Sequence, residues 1–203
     1  MKRLLCFFVS LTAICFAQDD EAKTIYRARA VLKGAPGSGI SGEVKLTQKN
    51  EGIIPTVVIE ALVNGLASGG KHGMHIHEVG SCENSLNASG QTVALGGAGG
   101  HFDPGPSGNS QPDANHPFHM GDVPNLVVNE HGIGQLRHTT SRITLSPGPL
   151  SVFDTNGSAI ILHANEDQGE TGAAGSGLSG GPRIACGVIE RVGDDDSGNG
   201  KKP

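Results

Sequence analysis

The sequence predicts an all-β domain, a Greek-key barrel or sandwich of about eight antiparallel strands with two long functional loops. Short runs alternate apolar and polar residues with a period of two, the mark of strands with one buried face. Clusters of Gly, Pro, Asn and Ser punctuate these runs, and no segment holds a convincing helical period. The chain has 203 residues, 32 of them Gly and only 3% aromatic, so one domain is expected, with a core of small and branched side chains.

In chain order, the first run alternates through Tyr26, Ala28, Ala30 and Leu32, the second through Ile40, Gly42, Val44 and Leu46, and the third through Val57, Ile59, Ala61 and Val63. In "HGMHIHEVGSC", residues 72–82, His75 and His77 stand two apart. On a strand they share one face, while Met74 and Ile76 take the other. Further strands are expected in "LVVNE", "QLRHTTSRITL", "SAIILHA" and "RIACGVIE". Residues 80–120 and 165–182 resist strand assignment and are rich in Gly, Ser, Asn and Pro. Loops this long within a domain are functional or disordered. Histidines border or occupy both, which favours function.

The two ends read differently. Residues 1–17 open with Lys2 and Arg3, run apolar from Leu4 to about Ala17, and end on small residues before Gln18, as a cleaved secretory signal does. The apolar stretch is short for a membrane span and is followed by "QDDE", so no membrane attachment is expected after cleavage. The domain then occupies 18–192, and 193–203, "GDDDSGNGKKP", is a disordered polar tail. Cleavage removes Cys6 and Cys15 and leaves Cys82 and Cys186 in an oxidising, extracytoplasmic setting, periplasmic or secreted, where an even pair suggests one disulfide. It also takes the formal net charge from −5 to −7 by removing Lys2 and Arg3, which argues against nucleic acid or anionic membrane as a partner.

There are nine histidines. Two imidazoles on one strand face make half of a metal site; two solvated histidines are the other reading of that spacing. His101 lies in "GGHFDP", His119 and Asp122 in "HMGD", and His163 at the end of "SAIIL". Nitrogen ligands with one carboxylate suit copper and zinc, whereas calcium and magnesium prefer oxygen.

Taken in order, "HGMHIHEVGSC", "GGHFDP", "HMGDVPNLVV", "LHANED" and "GPRIACGVI" resemble the copper/zinc superoxide dismutase family from about Thr24 to Arg191. The cysteine just after the first motif and the long insertion before "GGHFDP" resemble its bacterial exported branch. The resemblance implies that His75, His77, His101 and His163 bind copper, with His101 as an imidazolate that also bridges to zinc. It implies a Cys82–Cys186 disulfide, an Arg183 that guides the anion to copper, and an Asp167 that hydrogen-bonds histidines of both metals. His72 matches a structural histidine that holds loops, while His131 and His138 match no ligand. The implied substrate is superoxide, converted to oxygen and hydrogen peroxide by alternate reduction and reoxidation of the copper, with His101 carrying a proton. A homodimer is usual in the family, on a surface the sequence does not name.

The pattern breaks at zinc. Aligned without gaps, His101, His119 and Asp122 fall in register, but the middle zinc ligand falls on Ser110, a poor donor beside imidazole. His116, three residues before His119, is favoured as the displaced fourth ligand, because keeping Asp122, His119 and Asp167 makes little sense without zinc. A copper-only dismutase, and a copper-binding or metallochaperone-like protein without turnover, are the alternatives.

Overall fold

A computed structural model of the chain describes residues 26–50, 53–106 and 108–193. The expected signal segment, 1–17, and nearly all of the expected polar tail lie outside the described residues. Three long strands form a meander: β1 (Tyr26–Gly34), β2 (Ser41–Lys49) and β3 (Thr56–Asn64). Then follow β4 (Lys71–His72), β5 (Met74–His77), a two-stranded hairpin of β6 (Ser85–Leu86) and β7 (Thr92–Val93), β8 (Leu126–Val128), β9 (Gly134–Thr140), β10 (Ala159–His163) and β11 (Arg183–Arg191).

Nine strands form one antiparallel sheet in the order β4-β8-β9-β3-β2-β1-β11-β10-β5. Its two edges, β4 and β5, are separated in the chain by Gly73 alone. The sheet therefore curls until one short stretch of chain supplies both edges, giving a nearly closed barrel without long open edges. At the junction Gly73 N donates to Asn165 O and His163 N donates to Gly73 O, both at 2.8 Å. A β carbon at Gly73 would press on Ser179 O at 3.1 Å, which accounts for the glycine.

Period-two alternation does what the sequence expects. Ala28, Ala30, Leu32, Val44, Leu46, Val57, Ile59, Ala61 and Val63 all point into the barrel. Met74 and Ile76 join them from β5, and Ile160 and Leu162 from β10. The opposite faces of these last two strands are also covered. Ile161 and Ala159 pack with Ala98, Cys186, Cys82 and Leu95 in a second apolar cluster beneath the loop that follows β5. Ladder pairing sets His75 opposite Ile161 and His77 opposite Ala159, so both histidines lie on this outer, loop-covered side.

One expected strand is shorter than its apolar pattern. The run "QLRHTTSRITL" leaves the ladder after Thr140. Thr140 Oγ1 accepts the Arg142 amide at 3.0 Å, and the buried Gln48 Oε1 accepts the Leu145 and Ser146 amides at 2.6 and 3.0 Å. A side chain thus takes the place of a neighbouring strand, while Ile143 and Leu145 still enter the core. Among the described residues, no helix is long and apolar enough to cross a membrane.

Candidate metal centre

The free side of β5 is where the site assembles. Its hydrogen-bonding edge is taken by the loop at 101–122: Phe102 N donates to Ile76 O at 2.8 Å, Ile76 N to Gly121 O at 3.0 Å, and Gly121 N to Phe102 O at 2.7 Å. A β carbon at Gly121 would collide with Ile76 O, so this close docking needs glycine. The docking pairs His77 with His101 and His75 with Asp122 as isolated bridges. Two ligand-type residues from the loop are thereby set beside two from the strand.

His75, His77, His101 and His163 are all buried, and each offers a ligand atom within 4.8 Å of the others. Hydrogen bonds on the far side of each ring decide which nitrogen is free. Carbonyls only accept, so Nδ1 of His77 must donate to Gly99 O (3.0 Å), and Nδ1 of His163 to Gly181 O (2.8 Å). Nε2 of His75 donates to Asp167 Oδ2 at 2.9 Å. That leaves His77 Nε2, His163 Nε2, His75 Nδ1 and His101 Nε2 buried with no hydrogen-bond partner. Four unpaired lone pairs facing one small space are costly unless a cation is shared among them.

Their ionisation fits. Burial, with repulsion from neighbouring imidazoles, pushes His75 down to about 4 from 6.5, and His77 well below its usual value. Burial likewise pushes His101 to about 4, against the pull of Asp122, and His163 to about 3. All four are neutral at physiological pH, the form that ligates metal.

A second cluster shares His101. The Asp122 carboxylate faces His101 Nδ1 at 2.7 Å, His119 Nδ1 at 2.8 Å and His116 Nδ1 at 3.2 Å. The last is close without hydrogen-bond alignment, and His116 Nδ1 has no partner. His116 Nε2 is already committed, donating to Asp167 Oδ1 at 2.7 Å. A neutral imidazole so bonded turns its lone pair toward a carboxylate, an arrangement that requires either a second proton or a cation between them. Electrostatics express the first option: burial works against it, yet Asp122 and Asp167 raise His116 to about 9, and Asp122 with Asp103 raises His119 as well. Asp122 itself, although burial opposes it, is held far below the carboxylate range by three histidines, and Asp167 is lowered by His116 and His75. The tight four-residue group on this side is His75, His101, His116 and Asp122; His119 is tied to Asp122 without belonging to it.

Arg183, at the start of β11, is pinned by Nη1 to Leu95 O at 2.8 Å and by Nη2 to Gly99 O at 2.6 Å. Gly99 O is the same carbonyl that orients His77. The loop supplying both carbonyls is held on the barrel by the Cys82–Cys186 disulfide, which spans 104 residues of sequence.

A family model described as copper/zinc superoxide dismutase (SODC) matches residues 40–189. The chain belongs to the copper/zinc superoxide dismutase family. A relative named superoxide dismutase (Cu-Zn) from Neisseria meningitidis is 34% identical over 94% of this chain and 99% of its own length. Another of that name from Deinococcus radiodurans is 44% identical over 64% of this chain and 68% of its own. Among solved structures, the clock protein EA4 superposes with a TM-score of 0.58 at 30% identity, covering 82% of this chain and 94% of that one. A SOD-like protein from Bacillus subtilis does so with 0.58 at 28% identity, covering 79% and 96%.

Within this dismutase scaffold every residue singled out in the sequence as a metal ligand, His75, His77, His101, His116, His119, Asp122 and His163, is buried at one centre. Asp167 bridges its two halves. Ser110, at the expected ligand position, serves through its backbone, accepting the His101 amide at 2.7 Å. His72 Nδ1 donates to His163 O at 2.8 Å. His131 is exposed beside Glu130, and His138 lies half-buried on β9. The Gly99 and Gly181 carbonyls carry no signal in the sequence, since any residue offers one and only the fold aims it.

Proposed function

We propose that the protein dismutates superoxide at a copper that His75, His77, His101 and His163 would hold, beside a zinc that His101, His116, His119 and Asp122 would hold. The observation that carries this reading is a pair of buried clusters sharing His75 and His101: the first has four ring nitrogens with no hydrogen-bond partner, and the second adds Nδ1 of His116 beside Asp122. A copper held there would supply a one-electron couple, by which one superoxide would be oxidised to oxygen and a second reduced, with two protons, to hydrogen peroxide.

The chain's own residues do the rest. Arg183, clamped by two carbonyls, presents a fixed positive charge that draws the anion in and orients it. His101, held at Nδ1, takes up and delivers a proton at Nε2. Asp167 fixes the tautomers of His75 and His116 through its two oxygens, so that each offers Nδ1. Its bond to His116 supports that residue as the fourth zinc ligand in place of Ser110. An exported location fits the apolar run at 4–17 and the disulfide. A homodimer, usual in the family, is checked by sedimentation of the same preparation.

Metal analysis of the mature protein loaded with both ions, a dismutation assay and a His116→Ala variant test the reading together. One copper and one zinc with turnover, and zinc lost in the variant, is the expected result. Copper with turnover but no zinc makes the protein a copper-only dismutase, and copper without turnover makes it a binding protein.

A further inference from the structure

Asp113 lies in the first long loop, three residues before His116, outside every motif of the family pattern. It is 3% exposed, and its carboxylate is the acceptor for a whole stretch of the second long loop. Oδ1 accepts the Ser179 amide at 3.0 Å and the Ser179 hydroxyl at 2.9 Å, and Oδ2 accepts the Gly177 amide at 3.1 Å. The Asp113 carbonyl also accepts the Gly172 amide at 2.7 Å, and the His116 carbonyl accepts the Thr171 hydroxyl at 2.5 Å. The two loops are thus stitched together between 113–116 and 171–179. Burial alone would raise the Asp113 carboxyl, yet the Ser179, Gly177 and Gly175 donors hold it below its ordinary value, so it is ionised in place.

What the stitched segment does next is specific. Two residues beyond Ser179, Gly181 O receives Nδ1 of His163, and Gly180 N–H and carbonyl pair with Gly177 and Asn165. Gly180 has φ +102°, and a β carbon there would strike the His163 side chain at 2.7 Å. The ring of His163 is therefore set by a strip of glycine-rich backbone that pairs on one side with residues 164–168, through Ala164 N to Pro182 O at 2.7 Å and Gln168 N to Leu178 O at 2.8 Å, and is held on the other by Asp113. We propose that Asp113 is the positioning residue for His163, acting through the Ser179–Gly181 backbone to hold this ring in the tautomer and orientation that aim Nε2 at copper. The inference rests on the reading of His163 as a copper ligand.

The test loads the parent, Asp113→Ala, Asp113→Asn and Ser179→Ala with copper and zinc. It follows the electron paramagnetic resonance spectrum of Cu(II), the rate of copper release to a chelator, and amide exchange across 172–181. Outer partners of metal ligands are worth 10–100-fold in affinity, so copper release in Asp113→Ala should quicken about tenfold, with an altered Cu(II) spectrum and faster exchange at 175–179. Ser179→Ala, which removes only the hydroxyl, should shift the same readouts less; with Asp113→Asn it carries the test if Asp113→Ala does not fold. Variants with the parent's Cu(II) spectrum and release rate overturn the inference, even if the loop exchanges faster. A parent that takes up no copper overturns instead the reading on which it rests.

Discussion

The two halves of the centre share His101 but are made by different kinds of chain. His75, His77 and His163 stand on β5 and β10, where ladder pairing and two apolar clusters fix their directions. His116, His119 and Asp122 stand on a loop whose shape depends on hydrogen bonds to Asp167 and to the second loop. The strand half is poor in acid and keeps its histidines neutral, down to about 3 for His163. The loop half surrounds one carboxylate with three imidazoles and drives His116 up to about 9. A rigid ladder can hold unpaired lone pairs in place, whereas a loop must be held by charge.

The largest expected effect is the sharpest break in this comparison. His163→Ala should remove copper and lower turnover by more than about 100-fold, since even outer partners cost 10–100-fold, while zinc uptake persists. Metal content and activity of the same sample check this; joint loss of both metals would show the halves to be one cooperative unit. Next, opening the Cys82–Cys186 bridge by Cys82→Ser frees the loop that carries Leu95 O and Gly99 O. With the cysteines 104 positions apart in sequence, stability should fall by about 2–5 kcal/mol in denaturant unfolding, and KM should rise as Arg183 loses its clamp.

Asp167→Asn should separate the halves. His116 and His75 both donate to this carboxylate, but only His116 also turns its Nδ1 to a second acid. Zinc affinity should therefore fall about 10–100-fold and copper affinity less, as read by chelator competition; an equal loss would mean that Asp167 serves both halves alike.

The metal-free protein should show the contrast as a pH profile. His75 in the strand half and the shared His101 lie near 4 against 6.5 unfolded, so the unfolded chain binds more protons below 6.5 and stability falls as pH drops through about 4. Lowered Asp122 and Asp167 add to that acid-side loss. His116, raised to about 9, contributes stability that is full below 6.5 and lost as pH rises through about 9. Thermal melts should peak near pH 6.5 and fall on both sides; a melt that keeps rising with pH would remove His116 from the charged site. Smallest is the salt effect. Glu166, in the second loop, is already paired with Lys71 at 2.8 Å, leaving Arg183 as the guide, so turnover should decline only weakly with added salt.

Much of this was legible in the chain. Alternation marked the strands, and His75 with His77 at two-residue spacing placed both rings on one face because strand geometry alone dictates that. Where a pattern depends on a partner, the sequence is mute: "QLRHTTSRITL" alternates past Thr140, but Gln48, nearly a hundred residues away, takes the hydrogen bonds there. His116 could be offered from sequence as a replacement for Ser110 only because it lay in the right loop; its nitrogen beside Asp122 and its bond to Asp167 are facts of the fold. Asp113 carried no signal, since a loop aspartate is ordinarily a solvated one. The sequence by itself determined which side chains can ligate metal and which strand faces they share, because these follow from residue chemistry and a period of two. The tertiary structure decided which nitrogen each imidazole keeps free, because that depends on carbonyls and carboxylates brought from distant loops to the far side of every ring.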